Sequence, residues 1–270
     1  MNAPLPQHIL PTYERVSRTS NEVAGRLAQR LKDETQGEVL FSAADRGRYA
    51  TDASIYQQMP VGVFVPTQAQ DVQLALDISR DLDVPIVPRG GGTSQCGQTV
   101  GAGLVIDHSK HMRNILSLDV NERTVTVEPG MVLDHLNAAL KPHGLWYPVD
   151  VSTSAQATLG GMAGNNSCGS RSIAYGNMVH NVLGAQAWLS DGSLHSFGRF
   201  DASTGRARQI GEFVQSLALQ HRDEMEARWP KVLRRVAGYN LDIFHNQNEL
   251  PYTSDGSVNL AHLLIGSEGT

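Results

Sequence analysis

The tract Pro88-Arg89-Gly90-Gly91-Gly92-Thr93-Ser94-Gln95-Cys96-Gly97 constrains this chain more than any other segment. Three consecutive glycines remove every Cβ, so successive backbone N–H groups can turn inward around an anion, with the Thr93 and Ser94 hydroxyls as further donors. A strand–helix–strand pattern leads into it. Val61–Val65 is a short apolar run ended by Pro66, and Thr67 and Gln70 form a capping box. Val72, Ala75, Leu76, Ser79 and Leu82 mark a helix, and Val84–Val87 reads as a second strand. Such a crossover predicts two parallel, adjacent strands, with ligands bound beyond their carboxyl ends. A phosphate is the natural guest.

Two familiar phosphate motifs are excluded. Gly92–Thr99 fits G-x-x-x-x-G-K-[ST] except that Gln98 stands where the lysine must reach the phosphates, which argues against an ATPase. The dinucleotide pattern G-x-G-x-x-G started at Gly90 fails at Gln95, and the tract runs into a strand, not a helix.

A second donor-rich tract runs from Pro148 to Gly176 and reads as a long functional loop. It carries Asp150, the hydroxyls of Ser152, Thr153, Ser154 and Thr158, the Gly160-Gly161 pair, and the amides Asn165 and Asn166. The small-residue run Ala157–Gly164 suits a helical turn whose backbone closely approaches a flat or charged ligand. A nucleophile elbow around Ser167 would need glycine where Asn165 stands. Two such tracts in one chain favour a large, polyphosphate-bearing ligand.

The rest of the chain reads as mixed α+β. Thr19 and Glu22 open an N-terminal helix with Val23, Leu27 and Leu31 on one stripe. Gly103–Asp107, Ile115–Asp119 and Arg123–Pro129 read as strands, and Leu133, Leu136 and Leu140 mark a helix stopped near Gly144. Val182–Leu189 and Leu194–Phe197 form a hairpin turned at Asp191-Gly192, and an amphipathic helix runs from Ile210 through Met225 to stop before Pro230. Leu260–Ile265 is a last strand-like apolar run.

Lys and Arg number 22 against 27 Asp and Glu, a net charge of −5, so nucleic acid and anionic lipid are not expected partners. No run approaches the roughly 20 apolar residues of a transmembrane segment, and the N-terminus lacks the charged start of a signal peptide. Cys96 and Cys168 are too few and too far apart for a disulfide scaffold or thiolate metal site, so a cytoplasmic location is expected. His108 and His111 have no third ligand at metal spacing, and no metal is expected.

PRGGGTSxxG, then PxDxxSxxxATxGGxxxxNSxG, then YG and a terminal IGSEGT, together with RYATDASIY at 48–56, resemble the FAD-binding domain of the vanillyl-alcohol-oxidase superfamily. This is the PCMH-type fold, and the resemblance is strongest to FAD-dependent D-2-hydroxyacid dehydrogenases of the D-lactate, glycolate and D-2-hydroxyglutarate type. It implies an α+β, two-subdomain fold with mixed and antiparallel sheets and flanking helices. The implied division is an N-terminal helical segment (1–57), a first FAD-binding subdomain (58–118) and a second (119–270) with a helical insertion near 205–250. The chain would stop before a substrate domain.

By the matched positions, Arg89, Gly90, Gly91, Gly92, Thr93, Ser94 and Gly97 would wrap the pyrophosphate, so a branched side chain at Gly91 is expected to displace it. Asp150, Thr158, Gly160, Gly161 and Asn165 would continue the cradle. Tyr175, Gly176 and Val182 would lie along the cofactor, and Glu268 and Gly269 would close it. Pro88, Gln98, Ser167 and Gly169 belong to the same matched set. Relatives with covalent flavin carry histidine where Thr93 stands, which implies noncovalent FAD. An iron–sulfur cluster is implied only for a C-terminal part that this sequence lacks. The implied activity is oxidation of a small anionic D-2-hydroxy acid to a 2-oxo acid by hydride transfer to flavin N5, with an electron acceptor that no motif identifies. Other substrates on the same fold, an alditol, a sugar or an enolpyruvyl group, stay open, as does a noncatalytic nucleotide-binding module. The fragment alone is expected to be inactive, and its catalytic residues stay unassigned. Arg234, Arg235, Tyr239 and Asn240 could lie near an anionic substrate or the flavin, or form a solvated helix end.

Overall fold

Hydrophobic alternation in two short runs organises the first half of the molecule. A computed structural model describes residues 20–235, 238–245 and 250–270. Its first elements are α1 (Asn21–Glu34), β1 (Glu38–Leu40), α2 (Ala43–Arg48), β2 (Gly62–Val65), α3 (Ala69–Asp81), β3 (Ile86–Arg89) and β4 (Leu104–Asp107). Successive strand residues point to opposite faces. Phe64, Leu104 and Ile106 therefore meet Leu27, Leu31, Ala75 and Ile78 of α1 and α3, while Val63, Val65 and Val105 pack on the other face.

The sheet order is β1-β2-β4-β3. The strands flanking α3 are parallel as expected but not adjacent, because β4 inserts between them and pairs with both. β1, within a segment read as helical, adds antiparallel to β2. Capping also differs. Thr19 lies outside the described residues, and Ser20 caps α1 by accepting from the Val23 N–H at 3.2 Å. At α3 neither Thr67 nor Gln70 caps. The buried Asp71 carboxylate instead accepts from the N–H groups of Thr67 (2.9 Å) and Gln36 (3.0 Å) and the Thr67 hydroxyl (2.8 Å).

The hairpin β5 (Ile115–Asp119) and β6 (Thr124–Val127) follows, then α4 (Leu133–Leu140), ended at Gly144 (φ +70°). The second glycine tract is not a plain loop. It holds α5 (Leu159–Asn165) and α6 (Ser172–Tyr175), and a 3₁₀ turn follows at Met178–Asn181. Leu133, Leu136, Leu140, Met162 and Met178 form the core beneath it. The hairpin β7 (Ala185–Trp188) and β8 (Leu194–Phe197) packs on α7 (Gly205–Gln220), and α8 (Arg222–Arg228) breaks from α7 at His221, where one continuous helix was expected. Trp188 Nε1 donates to Gln73 on α3 at 2.7 Å, tying this hairpin to the first sheet's helices. The last apolar run forms a helical turn, α9 (Ala261–Leu264), not a strand. Among the described residues, no helix is long and apolar enough to cross a membrane.

Candidate functional site

β3 delivers the first glycine tract to the end of the sheet, and the preceding arginine anchors it from below. The Arg89 guanidinium does not face the tract's open side. It donates to the carbonyls of Thr51 (2.8 Å), Tyr49 (3.2 Å) and Thr99 (3.4 Å) and lies 5.3 Å from the Tyr49 ring centroid. The Tyr49 hydroxyl donates to Asp107 at the end of β4 (2.7 Å), and burial, then that carboxylate, push the phenol's pKa up. Thr99 donates to Asp52 (2.8 Å), and the Ala53 N–H donates to the Gly92 carbonyl (3.0 Å). Residues 49–53 thus form a belt under the tract. Gly92 at φ +64° and Gly97 at φ +79° supply the turns.

α5 carries the second tract. Thr158 caps it by accepting from the Gly161 N–H at 3.4 Å, and the Leu159 and Gly160 N–H groups donate at 2.8 Å to Met131 and Pro129. Three glycines disfavour a helix here, and these bonds from the 129–131 floor offset that. At its far end Asn166 adopts the left-handed conformation (φ 48°) with a buried side chain, accepting from the Val179 N–H (3.0 Å) and donating to the Arg235 carbonyl (3.1 Å).

The two tracts touch. A Cβ on Gly90 would collide with Thr158 Oγ1 and stand 3.7 Å from Gly161 Cα; one on Gly91 would strike the Gln156 carbonyl oxygen, 3.0 Å from its carbon. At the other end the Glu268 carboxylate joins both walls, accepting from the Ser94 hydroxyl of the first tract and from Asn165 Nδ2 of α5 (2.7 Å). The Glu268 N–H donates to the Gly164 carbonyl (2.9 Å), and Gly269 (φ +83°) lies against Gln98. Residues 89–94, 158–165 and 266–269 therefore come together at one place in the fold.

This arrangement changes two sequence expectations. The side of Gly90 and Gly91 taken to face a diphosphate is filled by the other tract, and the Ser94 hydroxyl donates to the Glu268 carboxylate of this chain. The bare surface lies instead on α5. Cβ atoms on Gly161 and Gly164 would meet only Thr158 Oγ1 at 3.1 Å and Glu268 Cβ at 3.8 Å. Three residues apart, the two share one helix face, where only the Thr158 and Glu268 side chains come close, and Gly90 of the other tract lies beside Gly161. That cradle fits an extended nucleotide whose phosphates lie on backbone.

The remaining matched residues serve the walls. Asp150 accepts from Ser170 (2.8 Å) and the Arg171 N–H (3.0 Å), and Gly169 packs on its carbonyl; burial acts against ionisation there, but these donors keep its pKa low. Ser167 donates to Asn165 Oδ1 (3.2 Å), and Gly176 (φ +79°) turns against His180. The Val182 carbonyl accepts from the buried His262 (2.9 Å) behind α5. Tyr175 is exposed, edge-on to Trp146 at 5.2 Å, and Pro88 is exposed on β3. Arg235 turns away, pairing with Asp242 at 2.6 Å, while Asn240 donates to the carbonyls of His262 (2.8 Å) and Ile265 (2.7 Å) and shapes the turn before Glu268. Tyr239 is exposed. Among the described residues, no three His, Cys, Asp or Glu side chains gather as metal ligands. Sequence reasoning missed Tyr49, Asp107 and Gln156; the belt's only trace was the RYATD string.

The chain matches the FAD binding domain family over residues 60–198. It is 37% identical over 246 residues to a D-2-hydroxyglutarate dehydrogenase of Pseudomonas putida, covering 87% of this chain and 24% of that protein. It is also 37% identical over 166 residues to the glycolate oxidase subunit GlcD of Bacillus subtilis, covering 60% and 35%. Among solved structures, an alkyldihydroxyacetonephosphate synthase superposes with a TM-score of 0.59 at 18% identity, over 69% of this chain and 37% of its own. That similarity is one of fold, and it bears out the α+β PCMH-type architecture. The chain spans about a quarter of the length of the first-named relative.

Proposed function

The chain belongs to the FAD binding domain family, and on that premise we propose that it is the flavin-holding portion of an enzyme oxidising a D-2-hydroxy acid to the 2-oxo acid. The supporting observation is the meeting of two nearly side-chain-free tracts at one site, joined by Glu268. The matched relatives are named for D-2-hydroxyglutarate and glycolate oxidation, which supports a small anionic hydroxy acid as substrate.

When bound, flavin supplies the two-electron acceptor for a hydride from the substrate carbon. This chain's residues bind and orient. The bare Gly161 and Gly164 backbone of α5 and the Gly92–Thr93 backbone would hold the phosphates, while the belt under Arg89 keeps the first wall rigid. Thr93 offers no ring nitrogen for a covalent link, so the cofactor is held noncovalently. On the same reading the molecule divides near residue 118, with the mixed sheet before it and the hairpins after; β5 begins three residues earlier. Cys96 and Cys168 are free thiols, which supports the cytoplasm.

Adding FAD to the purified 270-residue chain tests this. The expected result is a yellow 1:1 complex whose flavin is released by acid, with no bleaching by hydroxy acids. The longer polypeptide carrying this chain is expected to bleach with D- but not L-2-hydroxy acids. A folded chain that leaves FAD free in solution refutes the proposal.

A further inference from the structure

Arg234 is exposed, and among the described residues it pairs with no carboxylate. Its guanidinium docks instead on the end of α5, where Nη2 donates to Asn165 Oδ1 at 2.8 Å and Nε to the Asn166 carbonyl at 3.2 Å. We infer that Arg234 is a positioning residue of the cradle, acting through the Asn165 amide to fix the Glu268 carboxylate across its two walls. The inference rests on the flavin reading above.

The chemistry of the donors determines the geometry. A guanidinium can only donate and an ionised carboxylate can only accept. Asn165 is caught between one of each, so a single amide orientation satisfies both: oxygen toward Arg234, NH₂ toward Glu268 Oε2 at 2.7 Å. Ser167 adds a second donor to the same oxygen at 3.2 Å. With one oxygen on Asn165, Glu268 places the other on the Ser94 hydroxyl of the opposite wall.

Without Arg234 the amide oxygen keeps only the longer Ser167 bond, and Asn165 loses its charged anchor. The side chain is then free to swing away from Glu268, and the clasp loosens. Arg235 cannot substitute, because its guanidinium is committed to Asp242 at 2.6 Å. Arg234 and Glu268 are thus coupled through one side chain, and their opposite charges balance at the rim of the site.

The test is a thermodynamic cycle on FAD affinity in the 270-residue chain, with the flavin-free melting temperature read in parallel. R234M and E268Q are each expected to weaken FAD binding about tenfold, as loss of a charge-assisted hydrogen bond does. The double variant is expected to bind no more weakly than the worse single one. R234K, which keeps one donor, recovers part of the loss, and R234M has no effect in an N165A background. Should R234M fail to fold, R234K and E268Q complete the same cycle. Losses that multiply independently, or an R234M protein that binds like wild type, overturn the inference while leaving the flavin reading intact. A wild-type chain that binds no FAD refutes that reading, and this inference with it.

Discussion

Gly91→Ala is the smallest perturbation that separates the two walls. Gly91 does not have a positive φ, so alanine suffers no backbone strain there, and the whole effect is steric. The new methyl would lie on the Gln156 carbonyl oxygen, 3.0 Å from the carbonyl carbon and 3.6 Å from Ala157 Cα. These are backbone atoms with no rotamer to yield, so the tracts must move apart. Overpacking of this kind costs about 1–3 kcal/mol. Where binding needs both walls in register, that cost is taken from affinity, weakening FAD binding about 5-fold to 150-fold. Gly25→Ala is the control, since its Cβ would meet nothing within 4 Å in the middle of α1. It is expected to leave affinity unchanged and to stabilise the fold by up to about 1 kcal/mol. Calorimetric titration with FAD measures both. A Gly91→Ala protein that binds like wild type would show that the tracts need not touch.

Other outcomes follow from buried polar groups. His262 is buried and donates to Val182; burial depresses its pKa to about 4, outweighing that hydrogen bond. It is neutral in the fold, so its contribution is complete above the unfolded value near 6.5 and is lost as pH falls toward 4. The loss is up to about 3 kcal/mol. Denaturant midpoints from pH 7 to 4.5 should fall, and His262→Gln, still a donor, should flatten the slope; an unchanged slope contradicts the assignment. Asp71→Ala strips three donors of their acceptor and is expected to cost about 2–4 kcal/mol by chemical denaturation. A loss under 1 kcal/mol would show that water replaces the carboxylate. Thr158→Ala removes the cap of α5 and is expected to cost about 1 kcal/mol. It should also weaken FAD binding, and unchanged affinity would place the ligand away from the start of α5.

What could be read in advance was local. The runs at 62–65, 104–107 and 124–127 are strands because short apolar segments between turn residues have few alternatives. The insertion of β4 between β2 and β3 left no local trace, since neighbour choice depends on long-range pairing. Leu260–Ile265 shows the limit of period arguments: a run of five apolar residues around His262 suits a buried strand or a buried helical turn, and Asn240's bonds to the turn accompany the second. In the site, the glycines announced a close backbone approach but not its partner. Much of what they approach proved to be the other tract, while Gly161 and Gly164 keep open space beside them. Arg89 was assigned to the cofactor by its position in the motif. Its guanidinium serves three carbonyls instead, which no spacing rule could show.

Amide hydrogen exchange on the 270-residue chain, with and without FAD, tests most directly whether both walls hold one cofactor. Slowed exchange is predicted together in residues 90–94 and 158–165, at a single FAD concentration dependence. Protection confined to one of the two segments, or lying elsewhere in the chain, would contradict the account.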